Sequence, residues 1–219
     1  CNRYSSDGRT CRGFDAMSAA PSTCPPGNAE CPRYASALER ELRAFLDRNK
    51  DAHTILLLGT ASTTGNDGVA MSEANAKLAE HAMFIRAFGS PRLIPYASNY
   101  DDRFDVASLR KAAEKAHPGA RGVLRVILTN FTPTNTRGAT EGADRAEMEC
   151  DPFIILNGTK DLSNSVTLLH EMIHAVLYPM SGHDSRTDNV FFEADNGQRH
   201  VFSSEYADRM KRAFFARPK

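Results

Sequence analysis

Residues 165–178 read SVTLLHEMIHAVLY, and this stretch predicts the helix around which the fold is organised. Apolar side chains recur along it at helical spacing, and Pro179 follows as a stop signal. The apolar positions are Val166, Leu168, Leu169, Ile173, Val176 and Leu177. So apolar a helix is expected to pack deep in the protein. His170, Glu171 and His174 would then be costly to bury unless a bound group satisfied them.

The segment HEMIH, residues 170–174, carries the chemistry that this helix predicts. Residues four apart lie on one helix face with Cβ atoms about 5–6 Å apart. Both imidazoles can therefore reach one zinc ion at the usual zinc–nitrogen distance of about 2.0–2.1 Å. Glu171 lies beside them, where its carboxylate can take a proton from a metal-activated water and pass it to the leaving amine. The alternative is a chance match, with His170 and His174 as ordinary core or surface histidines.

Residues 168–175, LLHEMIHA, closely resemble the active-site helix of zincin metallopeptidases. The resemblance covers only the C-terminal third of the chain, from about Phe153 onward. It implies a hydrolase that cleaves peptide bonds in a peptide or protein substrate, with Zn²⁺ as cofactor. It further implies His170 and His174 as metal ligands and Glu171 as general base.

Catalytic zinc takes three protein ligands and leaves a position open, so a third ligand is expected downstream. The metzincin pattern is not met, because Leu177 and Met180 stand where it requires glycine and histidine. The spacing resembles that of gluzincins, whose third ligand is commonly a glutamate on a second helix. Glu193 follows His174 with 18 residues between them and is the preferred third ligand, on a short helix predicted at 189–195. The other main candidates are Glu205, His183 and His200, and either histidine could instead bind substrate or stabilise an oxyanion.

The order of predicted elements indicates a single α+β domain with a mixed sheet, because strands and helices alternate along one core. Strands are predicted at 54–58, 92–96, 123–128 and 153–156. Helices are predicted at 34–49, 72–88, 106–116, 165–178, 189–195 and 203–215, and residues 132–144 are predicted to form a polar loop. The expected organisation is an irregular N-terminal arm, 1–32, followed by a zincin-like domain, 33–219.

The cysteines favour an oxidising compartment. Cys1, Cys11, Cys24 and Cys31 crowd an arm rich in Pro, Gly and Ser, and Cys150 lies far from them. A segment with so few apolar residues is more readily ordered by disulfides than by packing. One interpretation makes Cys1 a lipid-modified residue and pairs the other four in two bridges; the alternative leaves one thiol free. We therefore expect an extracytoplasmic protein that is secreted, periplasmic or lipid-anchored.

Composition excludes several function classes. The chain has 27 Lys and Arg against 27 Asp and Glu, so no net charge attracts it to nucleic acid. No apolar run approaches the roughly 20 residues of a membrane span. Two alternatives to a peptidase remain: a non-catalytic, disulfide-bonded binding module with a structural metal or none, and a zinc amidase that acts on cell-wall peptides. A purely structural site would have no use for Glu171, which favours catalysis.

Overall fold

The protein folds around one mixed β-sheet. The computed structural model describes residues 40, 42–62, 67–88, 92–94, 106–130, 136–141, 152–158, 166–178, 182–194 and 197–219. Within those ranges the strands are β1 (His53–Ala61), β2 (Met83–Ala87), β3 (Arg92–Leu93), β4 (Leu124–Thr129), β5 (Gly138–Glu141), β6 (Phe153–Asn157) and β7 (Ala216–Pro218). Their main order across the sheet is β2-β1-β4-β6-β5, and β3 and β7 also pair with β1. Strands β5 and β7 run antiparallel to their partners, while the other pairings are parallel.

Helices cover both faces of this sheet. They are α1 (42–48), α2 (Asp67–Leu78), α3 (Val106–Ala116), α4 (Thr167–Leu177) and α5 (Ser204–Lys211). Along β6, Ile154 and Leu156 pack in one apolar cluster with α4, whereas Phe153 and Ile155 pack in another with Leu109 of α3. Since side chains alternate along a strand, α3 and α4 lie on opposite faces. The prediction of a single α+β domain with a mixed sheet is confirmed.

The helix predicted at 72–88 is wrong in its second half. Helix α2 ends at Leu78, a short 3₁₀ turn follows over Ala79–His81, and β2 begins at Met83. Ala82 takes a left-handed conformation, φ 56° and ψ 39°, which turns the chain out of the helix. The apolar run that begins at Met83 is buried in the sheet, and periodicity alone does not separate such a run from a helix segment.

Three further predictions need correction. Residues 138–141, predicted to belong to a polar loop, form the edge strand β5. The short helix predicted at 189–195 is absent from the described part of that segment. Residues 189–194 form turns and isolated bridges, including one between Asn189 and Val201. The terminal helix is shorter than predicted, and the chain returns to the sheet as β7.

The N-terminal arm, 1–32, and all five cysteines lie outside the described residues. The arm, the two disulfides and a lipid-modified Cys1 therefore remain predictions, as does the boundary at residue 33. None of the described helices has the length and apolar character needed to cross a bilayer.

Candidate metal centre

Helix α4 holds the HEMIH segment against the sheet. It contacts β5 and β6, and most of its residues are buried. His170 and Glu171 are only 6% and 5% exposed, while His174 is half-buried one turn further on. The helix starts after Val166, where no side chain forms a capping hydrogen bond. The apolar sequence of α4 thus places two imidazoles and one carboxylate at the edge of the core.

Three imidazole nitrogens converge at this helix. His174 Nε2 lies 3.2 Å from His170 Nε2 and 3.0 Å from His183 Nε2. The ligand atoms of these three residues all lie within 4.8 Å of one another. His183 is supplied by the loop of residues 182–194, which follows α4 in the chain. The structure therefore brings the two helix histidines together, as the HEMIH spacing predicts, and adds a third.

The spacing of the three nitrogens fits one metal ion. Two ligands bound at about 2.0–2.1 Å to a tetrahedral zinc lie about 3.3 Å apart, close to the two distances found. Burial lowers the pKa of His170 to about 3 and that of His174 to about 4. Burial also lowers the pKa of His183, although the nearby Glu193 carboxylate opposes this. All three rings are therefore neutral near pH 7, which is the form that binds a metal.

Backbone and aromatic contacts orient the rings. The carbonyl oxygen of Val190 lies 2.9 Å from His170 Nδ1, so it can accept that N–H and leave Nε2 as the metal-binding atom. The ring of Phe191, which is 2% exposed, contacts all three imidazoles. Its centroid lies 5.4 Å from that of His170, 4.7 Å from that of His174 and 5.2 Å from that of His183. Phe191 is thus a packing partner shared by all three imidazole rings.

Short-range hydrogen bonds hold the loop that carries His183. The Asp184 amide donates to the Phe191 carbonyl at 3.0 Å. The Asp184 carboxylate accepts from the Arg186 guanidinium at 3.0 and 2.8 Å and from the Tyr206 hydroxyl at 3.3 Å. The hydrogen bond from Arg186 is the main reason that the pKa of Asp184 is lowered to about 2. These contacts tie the residue next to His183 to both the loop and α5.

The Glu171 carboxylate is enclosed between α4 and β5. The Thr140 hydroxyl lies 2.8 Å from Glu171 Oε2. Burial raises the pKa of Glu171 to about 7, and the neighbouring Glu141 charge adds to this, while the Thr140 hydrogen bond and the Arg199 charge oppose it. Such a carboxyl can both accept and release a proton near neutral pH, which a general base that later acts as an acid must do.

The other predicted third ligands do not join the group. Glu193, the preferred candidate, is exposed and contributes no oxygen to the cluster of ligand atoms, since the described residues 189–194 form turns and bridges rather than a second helix beside α4. Glu205 is exposed on α5 and pairs with Arg209 at 3.2 Å. His200 is exposed, and its Nδ1 faces the Gln198 carbonyl. Among the described residues, the geometry therefore favours His183.

Comparisons with known proteins give a fold and no family. Neither a family model nor a curated protein matches the sequence. The structure is similar to the crystal structure of metalloproteinase-II from Bacteroides fragilis, with a TM-score of 0.51 and 14% sequence identity. The match covers 75% of this chain and 54% of the other, so this chain spans only about half of that protein. At this identity the likeness shows a shared fold alone.

Proposed function

We propose that the protein is a zinc-dependent metallopeptidase in which His170, His174 and His183 hold the metal and Glu171 is the general base. The observation that carries the proposal is the convergence of three imidazole Nε2 atoms beside a buried carboxylate. The fold shared with a metalloproteinase is consistent with it. The likeness to gluzincins in spacing is set aside, because the proposed third ligand comes from a loop and is a histidine.

The number of ligands favours catalysis over a structural metal. Structural zinc sites are commonly closed by four protein ligands, whereas catalytic sites use three and leave one position open. Within the described residues the group offers three nitrogens. Neutral imidazoles suit zinc, copper, iron and nickel. Zinc is proposed because residues 168–175 resemble the active-site helix of zincin metallopeptidases, and the two nitrogen spacings are compatible with it.

The residues of the chain have separate roles in peptide hydrolysis. A zinc ion bound by the three histidines would supply Lewis-acid polarisation of the scissile carbonyl and lower the pKa of a water molecule. The Glu171 carboxylate accepts a proton from the attacking water and then gives it to the leaving amine nitrogen, so its charge is restored after each turnover. The Val190 carbonyl oxygen, 2.9 Å from His170 Nδ1, would accept the N–H of the ring when Nε2 binds the metal.

We place this activity outside the cytoplasm, on peptide or protein substrates. The support is the crowding of cysteines in residues 1–31, which suits disulfides and an oxidising compartment. A zinc amidase for cell-wall peptides would use the same residues, and its substrates belong in the same assay.

Glu171→Gln tests the proposal. The amide keeps the size of the side chain but cannot act as a base, so we expect an unchanged zinc content and a loss of casein or peptide-library hydrolysis of about 10²–10⁴-fold. Zinc is measured by elemental analysis and hydrolysis by product release. Glu80→Gln, an exposed glutamate paired with Lys77, is the matched control and should behave as the parent. If Glu171→Gln cleaves as fast as the parent, Glu171 is not the general base; if neither protein cleaves any substrate, the protein is better described as a binding module.

A further inference from the structure

We propose that Thr140 is the positioning residue for the Glu171 carboxylate and that Gly138, on the same strand, leaves the space in which that carboxylate lies. This inference rests on the proposed function and gives the edge strand β5 a role in positioning the Glu171 carboxylate. The sequence predicts a polar loop for these residues.

The first support is the placement of β5 against α4. Strand β5 pairs antiparallel with β6, and α4 packs against both strands. Gly138 and Thr140 are two residues apart, so they face the same side of the sheet, towards Glu171. Ala139, between them, packs instead with the apolar cluster on the opposite face. The alternation of the strand thus presents one glycine and one hydroxyl to the base.

The second support is the lack of room at Gly138. A Cβ atom added there would lie 2.9 Å from Glu171 Cγ, 2.9 Å from Thr167 Cγ2 and 3.1 Å from Glu171 Oε1. The first two distances are shorter than real Cβ contacts. Any other residue would therefore push the Glu171 side chain away from its position, or separate β5 from α4.

The third support is the double contact of the Thr140 hydroxyl. Its Oγ1 lies 2.8 Å from Glu171 Oε2 and 2.8 Å from the Glu171 carbonyl oxygen. A hydroxyl has one proton to donate and can also accept. With Glu171 ionised, Thr140 donates to Oε2. Because the same hydroxyl also contacts the Glu171 carbonyl oxygen, it fixes the carboxylate relative to the backbone of its own residue.

A comparison of four residues at position 140 distinguishes the effect of the hydroxyl on kcat from the effect of the methyl group. Thr has both, Ser has only the hydroxyl, Val only the methyl groups, and Ala neither. If the hydroxyl positions the base, kcat should follow it. Ser should remain within about threefold of Thr, and Val and Ala should fall by about 10–100-fold, since small misplacements of a catalytic group cost this much. KM should change by less than about threefold, because substrate binding is not the property removed.

Zinc content and urea unfolding are measured on all four proteins. If Thr140 had a purely structural role, kcat would fall in proportion to the loss of free energy of unfolding. The Ser variant, which lacks the methyl group, would then have a kcat no higher than that of the Ala variant. That result would overturn the proposal, as would a Val variant with parental kcat or a loss of activity explained by loss of zinc. Because Ser and Ala differ only in the hydroxyl, the comparison holds even if Val fails to fold.

Gly138→Ala gives a second test at the other contact. It should lower kcat at unchanged zinc content, and parental kcat would contradict the close packing. Glu171→Gln distinguishes a failure of the positioning role of Thr140 from a failure of the proposed function. If that variant is inactive while all Thr140 variants are fully active, the positioning role fails and the proposed function stands. If Glu171→Gln is fully active, both fail.

Discussion

His183 illustrates what a single residue contributes to this site. It occupies an exposed loop position, yet its Nε2 lies 3.0 Å from that of His174. Its neighbour Asp184 is tied to Phe191 and Tyr206, so the loop conformation is held by contacts to the core and to α5. Nothing in the local sequence around His183 marks it as a ligand, whereas Glu193 stands at a spacing resembling that of a known family.

Paired variants decide between these two residues. His183→Ala removes one of three nitrogens, so we expect zinc affinity to fall by at least about 10-fold, with a matching loss of hydrolysis at limiting zinc. Glu193→Ala should keep the zinc content and activity of the parent. Zinc titration with a competing chelator measures both. The reverse pattern, with zinc lost only in Glu193→Ala, would restore the gluzincin-like assignment.

Helices were predicted correctly from the sequence where apolar residues recur at clear helical spacing. Helix α3 has the bounds that its spacing predicts, and α4 lies within the predicted segment with one residue less at its C-terminal end. The second half of the helix predicted at 72–88 was wrong because its apolar positions continue without a break into β2. Strand β5 was missed because its sequence, GATE, has no apolar alternation. An edge strand of this kind is defined by the strand it pairs with, and that strand is β6.

The left-handed conformation of Ala82, which lies between the 3₁₀ turn and β2, can be tested by substitution. This left-handed conformation costs a residue with a Cβ roughly 1–2 kcal/mol, a cost that glycine does not have. Glycine also increases the conformational entropy of the unfolded chain, which cancels part of the gain in stability. Ala82→Gly should therefore raise the free energy of unfolding by about 0.5–1 kcal/mol in urea titrations. Ala79→Gly, in the right-handed turn, should lower it by a similar amount. Loss of stability in both would argue against a left-handed residue at 82.

At the scale of the whole molecule, the sheet joins distant parts of the chain. Strand β1 pairs with four others, including β7 from the C-terminal end. Between α3 and β4, His117 donates from Nε2 to the Gly59 carbonyl in β1, at 3.0 Å. Burial is the largest cause that lowers the pKa of His117, and Arg92 and Arg125 add to it, although the hydrogen bond to Gly59 opposes them.

This histidine makes stability depend on pH. Because its pKa is lowered from 6.5 in the folded protein, the unfolded chain takes up the proton first as the pH falls. The contribution of His117 is therefore fully present above about pH 6.5 and is lost progressively below it. His117→Gln keeps an N–H donor that does not titrate. Urea unfolding at pH 7.5 and pH 5.5 should show a smaller loss of stability for this variant than for the parent. Equal losses would contradict the lowered pKa.

The sequence by itself determined the α+β class and the helix that brings His170, Glu171 and His174 to one place. Those features depend on residues within a few positions of each other, whose relative placement is set by helix geometry. Only the tertiary structure decided that His183 faces them and that Thr140 contacts the Glu171 carboxylate. These two residues reach α4 through a loop and through strand pairing, and the positions of both depend on packing between segments distant in sequence.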